Sequence, residues 1–226
     1  MDASLWHVLQ TTDSAFPVGG FGHSYGLEGL VQDGRITSPG ELEAFLRDTW
    51  LPALAHIDFP LIRLAHAASG SDAELFRLDE LAWAVRPTSE IRKAQQQMGR
   101  QRLRLVALTT GLPRLVHLDE AAQADRWRAS WPVVCGAEAG LLGIDAAAAM
   151  TACAYQGIAG LLAASAKLIR IGPTDIQCML ARQRDGLAEA VEVSKTIGAD
   201  DIGWFTPQLD IASARHETAY TRIFIS

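Results

Sequence analysis

The residues that most suggest chemistry lie in one glycine-rich stretch, residues 13–28, which reads DSAFPVGGFGHSYGLE. His23 and Ser24 are the residue types of a general base and a nucleophile, but adjacent residues of a helix do not face each other. Gly20 and Gly22 form only a fragment of a dinucleotide fingerprint, without its third glycine or a preceding strand. No lysine follows to make a phosphate-binding loop. We therefore predict no catalytic residue here.

The same stretch is better explained as a rigid connector between two helices. Pro17 fixes its own φ angle and keeps the preceding residue extended, while glycines allow backbone angles that a β-carbon resists. A helical period resumes at His23. We expect Phe16, Phe21 and Tyr25 to pack as aromatic contacts of this loop.

The histidines do not have the spacing of a metal site. They are His7, His23, His56, His66, His117 and His216. None forms an i,i+4 pair, and no His-Glu-x-x-His motif occurs. His56 and Asp58, or His216 and Glu217, are too close in sequence to share a helix face. The sequence predicts no bound metal or other cofactor within one chain, while a site formed across a symmetric dimer stays open.

A basic segment, residues 86–104, is the strongest charge pattern. Its positive residues are Arg86, Arg92, Lys93, Arg100, Arg102 and Arg104, against the single acid Glu90. At helical spacing, Lys93, Arg100 and Arg104 share one face. This face is either solvated or a docking surface for an acidic partner. Nucleic acid is disfavoured because the chain carries a net charge of -6.

Composition indicates a globular chain, with 49% hydrophobic and 20% charged residues. No run of 18 or more apolar residues appears, so we predict no membrane span. The first ten residues lack a basic segment, so we predict no secretory signal. The cysteines Cys135, Cys153 and Cys178 are far apart, which favours reduced thiols in the cytoplasm. Lys167, alone in an apolar helix, either reaches solvent at the helix end or contacts a partner.

Helical periodicity dominates, which predicts an all-α protein with a single helical bundle domain of about eight to ten helices. Capping boxes begin at Ser38 and Ser71. We predict a long helix at 89–110, a shorter one at 119–131, and an apolar helix at 146–170 in the centre of the bundle. Residues 1–209 form the helical domain, and residues 210–226 form its C-terminal tail.

Three motifs in this order resemble the urease accessory protein F family, a nickel-insertion chaperone subunit. The first is Asp-Ser-x-x-Pro-Val-Gly-Gly-Phe with x-His-Ser-x-Gly-Leu-Glu, in residues 13–28. The second is RPTSEIRKA followed by QMGR, in residues 86–100. The third, residues 211–224, reads IASARHETAYTRIF. The family usually ends Leu-Phe-Arg-Ser, whereas Ile225 stands here in place of the arginine.

The resemblance implies a non-enzymatic scaffold for nickel insertion into the urease apoprotein. Its implied partners are a D/H-type urease accessory subunit and the nickel-carrying G-type accessory GTPase, and it implies a cytoplasmic homodimer. Two alternatives stay open. One is a GTPase-activating or GTPase-gating protein with an arginine supplied in trans, namely Arg92, Arg100 or Arg222. The other is a small hydrolase that uses His23 or His56.

The motifs and the charge pattern together propose a set of partner-binding residues. They are His23, Ser24, Tyr25, Glu28, Arg92, Lys93, Arg100, Lys167, Arg215, His216, Glu217, Tyr220, Arg222 and Phe224. We expect the tail to dock weakly on the bundle and to be mobile without a partner. We expect it to become ordered when Tyr220, Arg222 and Phe224 anchor it on the partner accessory subunit.

Overall fold

Local capping signals set the helix ends in the computed structural model, which describes residues 2–225 apart from the side chain of Phe21. The Asp145 carboxylate accepts hydrogen bonds from the amides of Ala147 and Ala148. Ser38 and Glu41 form the expected reciprocal capping box. Gly111, with φ of 63°, ends the long helix that follows residue 88. Each of these helix ends is therefore fixed by contacts between residues within one helical turn of each other.

The described residues form ten helices and no strand, so the predicted all-α, single-domain fold is confirmed. The helical segments are α1 (Ala3–Thr12), α2 (Leu27–Gln32), α3 (Pro39–Phe45), α4 (Leu51–Ala53), α5 (Phe59–Ala67), α6 (Asp72–Ala84), α7 (Ser89–Thr110), α8 (Pro113–Gln123), α9 (Trp131–Leu141), α10 (Ala146–Leu168), α11 (Pro173–Ser194) and α12 (Pro207–His216). The count of ten treats α3 to α5 as one continuous helix.

The continuous helix from α3 to α5 contains two π-helical turns, Leu46–Trp50 and Leu54–Asp58, on either side of Pro52. A proline inside a helix removes one backbone donor and its ring crowds the preceding turn. Wider π turns accommodate such a break without ending the helix. The interruption at Pro52 therefore takes the form of two locally widened turns.

The prediction of a helix at 119–131 was wrong. Proline suits the first turn of a helix, where its missing N–H costs nothing, and Pro113 therefore begins α8 rather than only following α7. Helix α8 ends at Gln123 and a connector leads to α9. The buried Asp79 carboxylate holds this connector by accepting the amides of Arg128 and Ser130.

The core consists of two apolar clusters on either side of α5 and α9. One is built mainly by α2 to α5, α10 and α11, and the other mainly by α5 to α9. Helices α5 and α9 meet at their backbones, because a β-carbon at Gly136 would lie 2.2 Å from the Ile62 carbonyl oxygen. Gly140, one turn later, approaches the His66 carbonyl oxygen in the same way. This crossing requires residues without side chains.

The apolar helix α10 is not at the centre of the bundle, which corrects the prediction. Only 33% of its most apolar window is buried. Met150, Leu161 and Leu162 face the core, whereas Tyr155 is exposed. Its alanines make the helix apolar on all sides, but each offers little apolar surface to bury. Burying every side of the helix would therefore add little stabilisation. Its length and composition would also suit a membrane span, but one such helix is weak evidence because a helix of a soluble core passes the same test.

We expect Gly136→Ala to lower the free energy of unfolding by about 1–3 kcal/mol, because the added methyl overpacks the α5–α9 crossing. The matched control is Gly160→Ala in α10, where a β-carbon meets nothing within 4 Å. Alanine favours helix by up to about 1 kcal/mol over glycine, so this control should be neutral or stabilising. Urea unfolding followed by circular dichroism measures both. Equal effects would contradict the close crossing.

Candidate functional site

The glycine-rich loop connects α1 to α2 and is largely buried at its end. It makes a short 3-10 turn at Gly20–Gly22, preceded by Gly19 with φ of 82°. The Ser24 hydroxyl accepts the amide of Glu28, which steadies the first turn of α2. His23 and Ser24 are both buried. Burial lowers the pKa of His23, and the Glu90 carboxylate only partly opposes this effect. The loop is a packed connector, as predicted, and its histidine is sequestered from solvent.

The Glu28 carboxylate is only 1% exposed and has four hydrogen-bonding partners. One carboxylate oxygen accepts the amide of Ile223 at 2.8 Å and the Gln32 side-chain amide at 3.3 Å. The other accepts the amide of Phe224 at 2.9 Å and contacts His216 Nε2 at 3.0 Å. Burial alone would raise the pKa of Glu28, but the amides of Ile223 and Phe224, together with His216, hold it below its usual value.

His216 continues the network to α7. Its Nδ1 lies 3.0 Å from Glu90 Oε2, and Arg222 donates to the other Glu90 oxygen at 2.7 Å. Each ring nitrogen thus faces a carboxylate, so both contacts are hydrogen bonds only when the ring carries two N–H groups as imidazolium. Two carboxylates are then matched by two cations. We call Glu28, Glu90, His216 and Arg222 the Glu28 cluster.

The Glu28 cluster joins the C-terminal tail to α2, to α7 and to the glycine-rich loop. Helix α12 packs on α2 so closely that a β-carbon at Gly29 would lie 2.7 Å from the Ala212 carbonyl oxygen. Beyond it, Phe224 is buried and the Ile225 amide donates to the Gly22 carbonyl at 2.7 Å. The Lys167 ammonium lies 5.5 Å from the Phe224 ring centroid. The N-terminal and C-terminal motifs of the sequence are therefore one contiguous structure.

These contacts correct the expectation of a weakly docked tail. Phe224, His216 and Glu28 are buried, and their side chains hold the tail against the rest of the fold. The apolar side chain of Phe224 and the carboxylate of Glu28 supply the stabilisation that the sequence interpretation overlooked. Ser226 lies outside the described residues.

The other predicted contact residues are distributed over the surface. Arg215 reaches Asp33 and Glu217 accepts from Ser89, both in exposed positions, and Tyr220 is fully exposed. Tyr25 is half-buried, and its hydroxyl donates to the Met98 sulfur at 3.5 Å. Burial raises its pKa, and the nearby Asp58 acts in the same direction. Tyr220 is thus the predicted residue most open to a partner.

The basic segment is divided by the fold. Arg102, a member of the basic segment, is buried and forms a paired salt bridge with Glu138, so it adds no charge to the surface. Arg86 pairs with Asp58, and Arg100 pairs with Asp125 while donating to loop carbonyls. Arg92 donates to the Arg86 carbonyl and lies over the Trp83 ring.

On the exposed face of α7, Lys93 and Arg104 remain in solvent. Within the part of the chain that the structure describes, neither has an ion-pair partner. Of the predicted basic face, these two are the side chains available to another molecule.

A second buried charge group holds α1 in place, and the sequence interpretation missed it. His7 Nε2 contacts Glu138 Oε1 at 2.6 Å, and Glu138 also binds Arg102. Burial by itself would raise the pKa of Glu138, but Arg102 and then His7 bring it below its usual value. A lone glutamate in the otherwise apolar run of α9 was the available signal, since a buried acid requires a partner.

With α1 anchored on one side, its other side is an apolar surface. Leu5, Trp6 and Leu9 are each more than half exposed, with Trp6 at 59%. Helix α1 packs on α10, whose Tyr155 is also exposed. We call Leu5, Trp6 and Leu9 the α1 patch. Among residues 2–225, no group of three or more histidines, cysteines or acids is arranged to hold a metal ion.

Comparison with known proteins identifies relatives along the whole chain. A family model described as UreF matches residues 36–184. Urease accessory protein UreF of Azoarcus sp. (strain BH72) is 35% identical over 231 residues, covering 98% of this chain and 95% of its own. The protein of the same name from Pseudomonas putida (strain KT2440) is 33% identical and covers 100% of this chain and 99% of its own. That from Actinobacillus pleuropneumoniae serotype 3 is 30% identical over 98% of this chain and 99% of its own.

We expect Glu28→Gln to release the tail locally, because glutamine removes the charge that faces His216 and one of the acceptors for the tail amides. Hydrogen bonds to charged groups contribute about 1.5–3 kcal/mol, so amide hydrogen exchange at Ile223 and Phe224 should accelerate roughly 10- to 100-fold. The control Glu217→Gln changes an exposed tail carboxylate. Unchanged exchange in Glu28→Gln would contradict the role of the cluster.

The same exchange measured in acid separates charge from packing. The folded-state pKa of Glu28 lies below its usual value, so its stabilisation is complete above the usual carboxyl range and is lost as pH falls through the folded-state pKa. Tail protection in the wild type should therefore fall in acid. Protection in Glu28→Gln should already be low and should change less.

Proposed function

The chain belongs to the UreF family of urease accessory proteins, and on that premise we propose that it is a non-enzymatic scaffold of urease maturation. It bridges a D/H-type accessory subunit and the nickel-carrying G-type GTPase, so that nickel reaches the urease apoprotein as cargo. We propose that it works as a cytoplasmic homodimer, since two-fold symmetry would present two equivalent GTPase sites. Catalysis is not part of this role.

The observation that carries the proposal is that large apolar side chains are exposed on the tail and on the α1 patch. Charged groups that hold the folded tail, such as Glu28 and His216, are buried, whereas Trp6, Tyr220 and Ile223 are exposed. Exposed large apolar side chains that form a patch mark interaction surfaces, and aromatic residues supply much of the binding energy at such surfaces. The α1 patch and the exposed tail residues both belong to segments that contact α10. Helix α1 packs on α10, and Lys167 of α10 lies over the ring of the tail residue Phe224. We assign this surface to the D/H-type subunit.

The GTPase is assigned to the exposed face of α7. Lys93 and Arg104 lie eleven residues apart, which is close to three helical turns, and point to the same side. Cations in this position attract an acidic partner and increase its association rate. Arg100, on the same face, is tied to Asp125 and shapes the surface instead of reaching out from it.

The alternatives have less support from the geometry. An arginine supplied in trans must be free to extend, yet Arg92, Arg100 and Arg222 each make hydrogen bonds within the chain. A hydrolase based on His23 would need that buried ring to reach solvent.

The other histidine considered for a hydrolase is also occupied. The His56 ring stacks on Trp204, and its Nδ1 contacts the Pro52 carbonyl. These contacts favour a scaffold that gates the GTPase by position rather than by a catalytic side chain.

The D/H-type interface is tested best by point changes, because truncation after Asp210 would remove the buried Ala212 and His216 and uncover the core. We expect Trp6→Asp and Tyr220→Asp each to weaken capture of the D/H-type subunit at least about tenfold, since loss of an aromatic anchor costs about 2 kcal/mol or more. The control is Leu108→Asp, which alters an exposed apolar residue at the end of α7. If Trp6→Asp and Tyr220→Asp both capture the D/H-type subunit as well as the wild type does, this assignment is wrong.

For the GTPase interface, we expect the double change Lys93→Glu with Arg104→Glu to reduce GTPase binding and to remove most of its salt dependence. The matched control reverses Arg184 and Lys195 on or beside α11, which changes the net charge equally at another place. Titration at two salt concentrations by isothermal calorimetry measures both. Equal losses in the two variants would mean that only net charge matters and that α7 is not the docking face.

A further inference from the structure

A cavity of about 210 Å³ lies between the glycine-rich loop and α10. Its wall is largely apolar and includes Phe16, Val18, Met98, Trp131 and Cys153. An engineered protein cavity of about 150 Å³ with apolar walls stays dry and binds benzene. The cavity beside the glycine-rich loop is therefore large enough for one aromatic ring that carries a small substituent.

Two aromatic side chains of the cavity wall are held by one buried cation. The Arg102 guanidinium lies 6.0 Å from the ring centroid of Phe16 and 5.1 Å from that of Trp131. A cation over an aromatic face is attracted by the ring, and Arg102 is itself fixed by its two hydrogen bonds to Glu138. A wall that is already held in place loses little conformational freedom when a ligand binds.

Tyr25 provides a hydrogen-bond donor on the loop side of the cavity. Its φ of 52° is a left-handed conformation that is uncommon for a residue with a β-carbon. Its hydroxyl lies near Gly20 and donates to the Met98 sulfur at 3.5 Å. A thioether is a weak acceptor, so a ligand oxygen is a better partner for this hydroxyl. Because burial raises the pKa of Tyr25, the hydroxyl keeps the proton that it donates.

Gln156 provides an acceptor on the α10 side. Its side chain lines the same cavity, and its Oε1 is buried without a hydrogen-bond partner among the described residues. A buried acceptor without a donor is destabilising, so a ligand that donates to this oxygen removes that cost. Asp13 and Ser14 line the cavity and are exposed, which leaves a route from solvent. The negative charge of Asp13 disfavours an anionic ligand.

We propose that this cavity binds a small, uncharged aromatic molecule with a hydroxyl group, of which phenol is the simplest example. The ring packs against Phe16, Met98 and Trp131. The ligand hydroxyl accepts a hydrogen bond from Tyr25 and donates one to Gln156 Oε1. The bound molecule joins the glycine-rich loop to α10. This site does not depend on the proposed scaffold role or on the surfaces assigned to protein partners.

The test is to titrate the full-length protein, isotope-labelled in its methionine methyl groups, with phenol and separately with benzene. A bound aromatic ring shifts the resonance of a nearby methyl group, and Met98 lines the cavity whereas Met150 and Met179 do not. We expect phenol to shift the Met98 signal saturably and to bind roughly 2- to 10-fold more tightly than benzene, which can form neither hydrogen bond. Equal affinities for the two ligands, or equal shifts at all three methionines, would overturn the proposal.

Variants separate the hydrogen bonds from the apolar wall. Tyr25→Phe and Gln156→Leu should each weaken phenol binding roughly 2- to 10-fold and leave benzene binding unchanged. The matched control Tyr155→Phe removes an exposed hydroxyl from the same helix as Gln156 and should change neither affinity.

A further variant tests the location of the ligand. Gly160 lines the cavity, and a β-carbon there meets nothing within 4 Å. Gly160→Leu should therefore block both phenol and benzene while circular dichroism shows a folded protein. Phenol binding at wild-type affinity in folded Gly160→Leu would contradict the proposal. Unchanged phenol binding in Tyr25→Phe, or an equal loss of both ligands there, would contradict it independently of how Gly160→Leu folds.

Discussion

The arrangement of the whole site depends on one buried carboxylate. Glu28 accepts four donors, two of which are backbone amides of the tail, and 188 residues separate it from His216. A buried carboxylate is stable only when its lone pairs are satisfied and its charge is matched. Those requirements place the tail, α12 and α7 around α2 in one arrangement. The beginning and the end of the chain are therefore parts of the same structure.

The Arg102–Glu138 pair applies the same constraint at the other end of the glycine-rich loop. Glu138 holds Arg102 through two short contacts and binds His7 of α1, while Arg102 reaches the Thr11 carbonyl. Removing one partner from a buried pair leaves an uncompensated charge and is far more costly than the pair itself is stabilising. The loop is thereby fixed at both ends, by Glu138 before it and by Glu28 after it.

In most globular proteins polar side chains are exposed and large apolar side chains are buried, and several motif residues here show the reverse. Polar motif residues such as Ser24 and His216 are buried, while apolar residues such as Trp6 and Tyr220 face solvent. Buried polar groups that are fully hydrogen-bonded hold a surface in one shape, and exposed aromatic groups provide contact area. This division suits a protein whose proposed work is to present surfaces to partners.

The sequence by itself determined the all-α fold class, several helix ends and the family. Caps at Ser38 and Asp145 and the stop at Gly111 act within one turn, so they can be read from neighbouring residues. Pro113 can either follow the end of one helix or begin the next one. It begins α8, so the helix predicted at 119–131 was misplaced. The family motifs also located the region of the site without showing how its residues pair.

Only the tertiary structure decided which motif residues are inside. Nothing near Phe224 in the sequence indicates that Glu28 holds its amide, and nothing near Arg102 indicates that Glu138 pairs with it inside the fold. Periodicity records which side of a helix is apolar, but not which distant helix supplies a charge or leaves a face open. Trp6 is exposed for that reason: the other side of α1 is held by His7, and no element of residues 2–225 covers the α1 patch. Burial depends on distant partners, and local sequence does not specify them.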